Sequence, residues 1–445
     1  MSIETVNFEN ALPIESQKSM DIAALPLSRS ESVAYPRHHG GILAKLQWYI
    51  RQNSRAAMAT VAFVMFIIVV SSDLLHDSHV GPGGAFRGTG GYIFNSGKDS
   101  FSGAARLGYF SAADSKVSDT VFRFAAVTDL DQLSSVKGSS KPKFRSILLP
   151  GKITYNREKN TYDLEMETTR ELITGHNEAG RGAEFSELTI FQNRLLTFDD
   201  RTGEVFEILN NPDGKSSFVV PRFVVTEGNG DTDKGMKWEW STVKDGELYM
   251  GSMGKEYTNP DGSVANTNNL WVSILNSRGE LRRIDWERQF TYVRKALGAE
   301  NPGYLIHEAV NWSPHLRKWI FMPRRISKEK YDDVLDEKRG SNKVVLIDEK
   351  FTSHEVVKVK MANKDGLHGF SSFAFVPGTG DKHVLALRSV EEDCAGDDLD
   401  MCKQRSYFVI FDVTTGDVLM DEKKIEEDMK YEGVEFVNMY TVPPV

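Results

Sequence analysis

Five short apolar runs each begin with a residue able to offer oxygen to a cation. They are Glu184-Phe-Ser186-Glu-Leu-Thr-Ile, Lys237-Trp-Glu239-Trp-Ser-Thr-Val, Leu305-Ile-His-Glu308-Ala-Val, His368-Gly-Phe-Ser371-Ser-Phe-Ala-Phe and Tyr431-Glu432-Gly-Val-Glu-Phe. Ser186, Glu239, Glu308, Ser371 and Glu432 follow one another at steps of 53, 69, 63 and 61 residues. Three carboxylates and two hydroxyls form an all-oxygen donor set. Hard cations such as Ca²⁺ take such donors in loose coordination, whereas Mg²⁺ demands a tighter octahedron. Three glutamates crowded together without a cation would repel one another. Taken singly, a Glu or Ser at a strand start is a solvated surface residue; the recurrence at equivalent positions is what points to a shared role.

A second set of residues could handle phosphate. Apolar runs that follow the first set end at Asp199-Asp200-Arg201, Lys255-Glu256, Arg324-Arg325 and Arg388, and an earlier run ends at Asp129-Leu-Asp131. The planar guanidinium fork suits phosphate oxygens. Asp129 or Asp200 could take a proton from an attacking water. Asp200-Arg-Thr-Gly203 is equally an ordinary turn sequence. His307 and His368 read as packed or hydrogen-bonded side chains before proton shuttles, and Trp238, Trp240 and Tyr257 as core aromatics before base-stacking platforms. Gly180-Arg-Gly182 is too short for a phosphate loop. No CxxC, HExxH or Cys/His cluster is present, which argues against zinc. The two cysteines, Cys394 and Cys402, have seven residues between them and could close a small disulfide loop in an oxidising compartment.

The elements that must position these residues are short strands. Runs rich in Val, Ile, Phe, Tyr and Leu recur from about residue 119, punctuated by turn signals such as Lys244-Asp-Gly246, Asn276-Ser-Arg-Gly279 and Thr414-Thr-Gly416. Repeats of this length, each holding about four strands, predict an all-β, five-bladed β-propeller. The last repeat reaches only its first strand before the chain ends. Orphan strands at Val121–Asp131, 144–150 and 161–167 would complete it, so the two ends should share one sheet and close the ring. All five first-strand residues and all five second-strand ends then face one mouth, because adjacent strands run antiparallel. Trp286–Leu297 and Lys328–Lys338 carry helical periodicity and read as insertions.

The chain has 445 residues, 40% of them hydrophobic, and a net charge of −9, which argues against a general nucleic-acid binder. Residues 1–55 read as a disordered cytosolic tail. The 17 uncharged residues 56–72, bracketed by Arg55 and Asp73, read as a transmembrane helix acting as signal anchor. Arg37, Lys45, Arg51 and Arg55 precede it, so the positive-inside rule makes this a single-pass type II membrane protein with a lumenal or extracellular ectodomain. A short span suits the thinner membranes of the endoplasmic reticulum and Golgi. Residues 73–118 form a flexible Gly- and Ser-rich stalk, and 119–445 the propeller.

Ordered motifs across roughly residues 119–440 resemble the calcium-activated nucleotidase (apyrase) family. They are Gly180-Arg-Gly-Ala-Glu-Phe-Ser186, Asp199-Asp-Arg-Thr-Gly203, Lys237-Trp-Glu-Trp240, Gly254-Lys-Glu256, Gly303-Tyr-Leu-Ile-His-Glu308, Met322-Pro-Arg-Arg325, His368-Gly-Phe-Ser-Ser-Phe373 and Tyr431-Glu-Gly-Val-Glu-Phe436. The resemblance implies a five-bladed propeller, Ca²⁺ held at Ser186, Glu239, Glu308, Ser371 and Glu432, and essential acids at Asp129 and Asp200. It implies hydrolysis of nucleoside di- and triphosphates such as UDP and GDP, with release of phosphate. Arg181, Arg201, Lys255, Arg324 and Arg388 are the candidate substrate-binding cations. Tyr257, where the family often has Trp, and the Glu391–Cys402 insertion bear on base preference. The expected partners are the nucleotide and the membrane, with a homodimer left open. The competing readings are a non-enzymatic calcium-binding propeller that presents a ligand or protein surface, and a calcium-bound structural ectodomain. Asn311-Trp-Ser313 is a glycosylation sequon, but Pro314 and a strand setting argue against use.

Overall fold

The structure, a computed structural model, describes residues 108–109, 120–211, 214–259, 263–394 and 402–439. The expected membrane-spanning run 56–72, the cytosolic tail and most of the stalk lie outside them. Among the described residues no helix is long and apolar enough to cross a membrane.

Four sheets each take four strands in simple antiparallel order, interrupted only in the second blade by the small hairpin Tyr257–Thr258 and Val264–Asn266. Their innermost strands are Phe185–Phe191, Trp240–Lys244, Tyr304–Ser313 and Gly369–Phe375. The fifth sheet begins with Tyr431–Glu435 and continues through Val121–Thr128, Phe144–Asn156 and Thr161–Met166. Ala125 pairs with Glu435 and Val127 with Gly433, so the two ends of the chain share a blade as expected. Each inner strand packs against the inner strands of two neighbouring blades, and the succession closes on itself. The fold is a five-bladed, all-β propeller.

Local sequence explains the hairpins. Gln192 and Asn193 both take positive φ between the paired Phe191 and Arg194, as do Asp245 and Gly246 between Lys244 and Glu247. Such two-residue turns match the right-handed twist of the strands they join. The inner strand Phe185–Phe191 is buried along nearly its whole length, because both its faces meet other blades. The outlying strand Arg170–Thr174 alternates buried and exposed residues.

Apolar packing is concentrated at the blade junctions. Phe124 meets Phe408 between the fifth and fourth blades. Leu188 and Val127 share a cluster between first and fifth, Phe198 and Trp238 between first and second, Trp240 and Trp312 between second and third, and Ala309 and Phe370 between third and fourth. Polar staples run around the ring beside them. Thr189 and Ser241 are 2.5 Å apart, Trp312 N–H donates to Thr242 Oγ1 at 3.0 Å, and Asn311 donates to the Phe373 carbonyl at 2.8 Å. Val434 N–H donates to Ser372 Oγ at 3.3 Å, and Ile190 N–H to Glu435. With one core per junction, the blades stabilise one another and no sheet has an independent interior.

The α-helix Glu287–Leu297 buries Phe290, Val293 and Leu297 and ends at Gly298, whose φ is 68°. The second expected helix, Lys328–Lys338, is reduced to Asp333–Asp336. Val334 and Leu335 are exposed there, so the segment has no apolar face to bury, and short helices need one. Cys394 and Cys402 are joined by a disulfide with S–S 2.13 Å.

Candidate active site

The recurring positions have a structural expression. Ser186, Glu308, Ser371 and Glu432 each lie where the pairing of the first and second strands of their blade slips. Ser372 pairs with Leu387 and Phe370 with Arg388, leaving Ser371 as the extra residue. Glu432 is skipped in the same way between Tyr431 and Gly433. Such bulges re-aim a side chain without breaking the sheet. Glu239 lies just before its strand, and its N–H donates to the Gly251 carbonyl at 2.9 Å.

Glu239, Glu308 and Glu432 thereby bring carboxylate oxygens within 4.8 Å of one another, all three buried. Burial pushes Glu239 up to about 8; Glu308 and Asp200 push the same way, while Lys237 opposes them. Burial also raises Glu308, and raises Glu432 well above the usual carboxylate range with help from Glu308 and Asp129. A divalent cation relieves this strain, and the donors fit one: all are oxygen, and the buried Ser186 Oγ has no hydrogen-bond partner. Ser371 Oγ is also buried and donates to the Tyr431 carbonyl at 3.0 Å, which leaves its lone pairs available.

The same glutamates line a cavity of about 250 Å³ with Asp129, Asp200, Arg181, Arg201, Arg324, Lys237 and Lys430. Arg324 Nη1 donates to both Glu308 oxygens at 2.6 Å and to Glu432 at 2.9 Å, and its Nη2 reaches Glu391 at 2.6 Å. Lys430 Nζ lies 2.7 Å from Asp129 and 2.9 Å from Asp131. Lys237 Nζ bridges Asp200 and Glu239, the latter at 2.9 Å. Arg181 holds Glu184 at 2.6 Å, and burial with repulsion from Asp129 pushes Glu184 up to about 8. Arg201 pairs with Glu178 at 2.6 Å.

The two adjacent acids at the end of the Arg194–Asp199 strand divide their work. Asp199 accepts the backbone N–H groups of Ala183 at 3.0 Å and Arg201 at 3.1 Å, so the turn belongs to Asp199. Asp200 Oδ2 meets Lys237, while its buried Oδ1 has no partner. Both oxygens of Asp129 are occupied, Oδ1 by the Asp131 N–H at 2.8 Å and Oδ2 by Lys430.

Two expected cations lie outside the cavity lining. The second strand of the second blade stops at Gly251, and the chain turns through Gly254 before reaching Lys255. Lys255 Nζ donates to Thr258 and sits 4.2 Å over the Tyr331 ring. In the fourth blade the second strand runs on to Glu392, so Arg388 is inside it and Glu391 is at the end. Arg388 donates to Glu422 and to the carbonyls of His368 and Ser341. Trp238 and Trp240 are fully buried core residues, whereas Tyr257 lies partly exposed 4.3 Å beneath Lys234, another lining residue. His307 packs between Phe290 and Phe321, and burial drives it down to about 3. His368 bonds Glu422 and Asn363.

Glu184, Lys237, Lys430 and Glu391 were not singled out from sequence. A signal existed for the lysines: Lys237-Trp-Glu239 and Lys430-Tyr-Glu432 repeat a Lys-x-Glu step at equivalent blade starts.

The sequence model of the family described as Apyrase matches residues 130–437. An apyrase of Cimex lectularius is 36% identical over 318 residues, covering 71% of this chain and 82% of that protein. Apyrase apy-1 of Caenorhabditis elegans is 38% identical over 312 residues, covering 70% and 82% respectively. Soluble calcium-activated nucleotidase 1 of Rattus norvegicus is 36% identical over 317 residues, covering 71% and 74%. The match runs through every blade: this chain belongs to the apyrase family.

Proposed function

We propose that this protein is a calcium-dependent nucleotide phosphohydrolase that cleaves the terminal phosphoanhydride of nucleoside di- and triphosphates such as UDP and GDP. The observation that carries the reading is one cavity lined by four buried glutamates, three aspartates and three arginines. A binding propeller has no need of a buried acid with a free oxygen beside that set.

Ser186, Glu239, Glu308, Ser371 and Glu432 are the residues that would hold Ca²⁺. When bound, the ion supplies Lewis-acid polarisation of phosphoryl oxygens. Arg181 and Arg201 are the cations placed to orient the phosphates through their forked donors, while Arg324, held by Glu308, Glu432 and Glu391, ties the acidic cluster together. Asp200 is the better placed general base, since it lines the cavity and its Oδ1 has no hydrogen-bond partner, while both oxygens of Asp129 are engaged. A water oxygen attacks the terminal phosphorus, its proton passes to Asp200, and the bond to the bridging oxygen breaks with release of orthophosphate. Asp129 orders the Lys430 and Asp131 side of the site. Tyr257, partly exposed beside the lining residue Lys234, is a candidate to stack on the base.

Release of phosphate from UDP with calcium, abolished by EGTA and restored by added calcium, tests the function. Asp200→Asn should lower kcat by about 10²–10⁴, the usual contribution of a positioned base. Asp129→Asn should also lower it, and both variants should stay folded by circular dichroism, since Lys430 and Lys237 keep other acidic partners. A folded, calcium-binding protein that releases no phosphate from any nucleotide would favour the non-enzymatic propeller.

The membrane anchor at 56–72 is part of the same proposal. Its support is the charge asymmetry of the flanking residues, which by the positive-inside rule favours a propeller in the lumen of the secretory pathway or outside the cell. Protease protection of the propeller in intact microsomes is the expected result; digestion from the cytosolic side would reverse the topology.

A further inference from the structure

The two catalytic-candidate aspartates are each tied to one of the metal-candidate glutamates by a lysine, and the two ties are built alike. Lys237 stands two residues before Glu239, and Lys430 two residues before Glu432. Both positions lead into the innermost strand of a blade. The equivalent positions in the other blades are Glu184, Ile306 and Gly369, so the feature belongs to two blades only. Lys237 Nζ bonds Asp200 Oδ2 and lies 2.9 Å from Glu239. Lys430 Nζ lies 2.7 Å from Asp129 and 3.5 Å from Glu432, with Asp131 and Glu391 at 2.9 and 3.6 Å.

Resting on the nucleotidase reading, the geometry points to Lys237 and Lys430 as positioning residues that hold Asp200 and Asp129 in register with the calcium site. Neither acts as a phosphate ligand. Lys430 is almost wholly enclosed, with 6% of its side chain exposed and four carboxylates around it, so no donor is left for substrate. Lys237 is 30% exposed, but its ammonium is committed to Asp200 on one side and Glu239 on the other. By occupying Oδ2 it fixes the Asp200 carboxylate with Oδ1 left over for water. A carboxylate that loses this tether can rotate, and a misplacement of about 1 Å at a reacting group can cost about 10²-fold in rate. The lysines also explain how the two catalytic-candidate aspartates sit beside the three metal-candidate glutamates in one small cavity. Each cation lies between a member of one set and a member of the other, and screens their repulsion.

The test is a double-mutant cycle on the full chain with UDP as substrate and calcium saturating. Lys237→Met should lower kcat about 10²-fold and leave KM within about threefold. In an Asp200→Asn background the same change should cost less than about threefold, because the residue it acts through is already disabled. Lys430→Met with Asp129→Asn should behave likewise. Lys237→Arg, which keeps a cation able to bridge, should recover much of the rate. Two binding measurements accompany the kinetics: calcium affinity by calorimetry, and affinity of the calcium-loaded protein for a non-hydrolysable UDP analogue. Analogue affinity should be unchanged by Lys237→Met. A KM or analogue Kd that rises tenfold or more, with costs that add in the cycle, would make the lysine a phosphate ligand and overturn the proposal. Near-parental kcat in a folded Lys237→Met would also overturn it. If a lysine variant unfolds, the arginine variant and its cycle decide the matter. A parent protein with no calcium-dependent phosphate release would sink the nucleotidase reading, a result distinct from either outcome.

Discussion

Replacing Glu432 by Gln removes one negative charge from the cluster and keeps its volume. The residue sits in a β-bulge, with Arg324 Nη1 at 2.9 Å and Lys430 at 3.5 Å. Both cations keep other acids: Arg324 keeps Glu308 and Glu391, and Lys430 keeps Asp129 and Asp131. The calcium-free variant should therefore stay folded. A contact involving a charged group contributes about 1.5–3 kcal/mol, so calcium affinity should fall about 10- to 100-fold. The consequence for stability follows from mass action. Calcium at about 100 times the parental Kd stabilises the parent by ~2.7 kcal/mol, and a variant with a hundredfold weaker site by only ~0.4 kcal/mol. The propeller spans roughly 320 residues, 120–439. At ~2.1 cal/mol/K per residue its unfolding entropy is about 0.7 kcal/mol/K. The parental melting temperature should then rise by about 4 °C with calcium and that of the variant by less than about 1 °C. Differential scanning fluorimetry with and without EGTA reads both. Glu435→Gln is the control, since Glu435 is a partly buried strand carboxylate that bonds the Phe436 and Ile190 N–H groups outside the cluster. Equal calcium-induced shifts in parent and Glu432→Gln would refute the assignment of Glu432 to the site.

Further outcomes follow from particular contacts. A Cβ on Gly433 would lie 2.6–2.7 Å from the Glu187 backbone, so Gly433→Ala should destabilise the closing junction by about 1–3 kcal/mol, read by urea unfolding. Arg388→Met should lower stability by about 1–3 kcal/mol, because it leaves the buried His368 and Ser341 carbonyls without their donor and the partly buried Glu422 with only His368, while KM for UDP stays within about twofold. Asp199 is pushed up to about 7, by burial first and by Asp200 second. Its folded value lies above the unfolded one, so the native state binds more protons between about pH 4 and 7 and stability falls as pH rises through that window. Asp199→Asn should flatten this decline in calcium-free melting temperatures measured from pH 4 to 8; a slope equal to the parent's would contradict it.

What was legible in the chain follows from what is periodic in it. The alternation of apolar residues, the turn dipeptides and the steps between Ser186, Glu239, Glu308, Ser371 and Glu432 together specify five blades, and the missing strands of the last repeat specify how the ring closes. The bulges that turn Ser186, Glu308, Ser371 and Glu432 out of register carry no sequence mark, because a bulge is a property of two strands pairing and not of either alone. Strand length was hidden for the same reason. Arg388 looked like a strand end, but the strand pairs on to Glu392 opposite Lys403, which moves Arg388 into the sheet and brings Glu391 to Arg324. Lys255 was displaced the opposite way, by a strand that stops early at Gly251. The lysines show a further limit. A Lys beside a cluster of acids reads as a solvated surface charge until the fold removes the water, and only then must each buried charge find an opposite one. In this cavity the acids outnumber the cations that line it: Asp129, Asp131, Glu184, Asp200, Glu239, Glu308 and Glu432 against Arg181, Arg201, Lys234, Lys237, Arg324 and Lys430. Arg201 and Lys234 also pair with acids outside the lining, Glu178 and Glu227. The inner acids therefore keep an excess of negative charge, which is what a divalent cation entering at Glu239, Glu308 and Glu432 would balance.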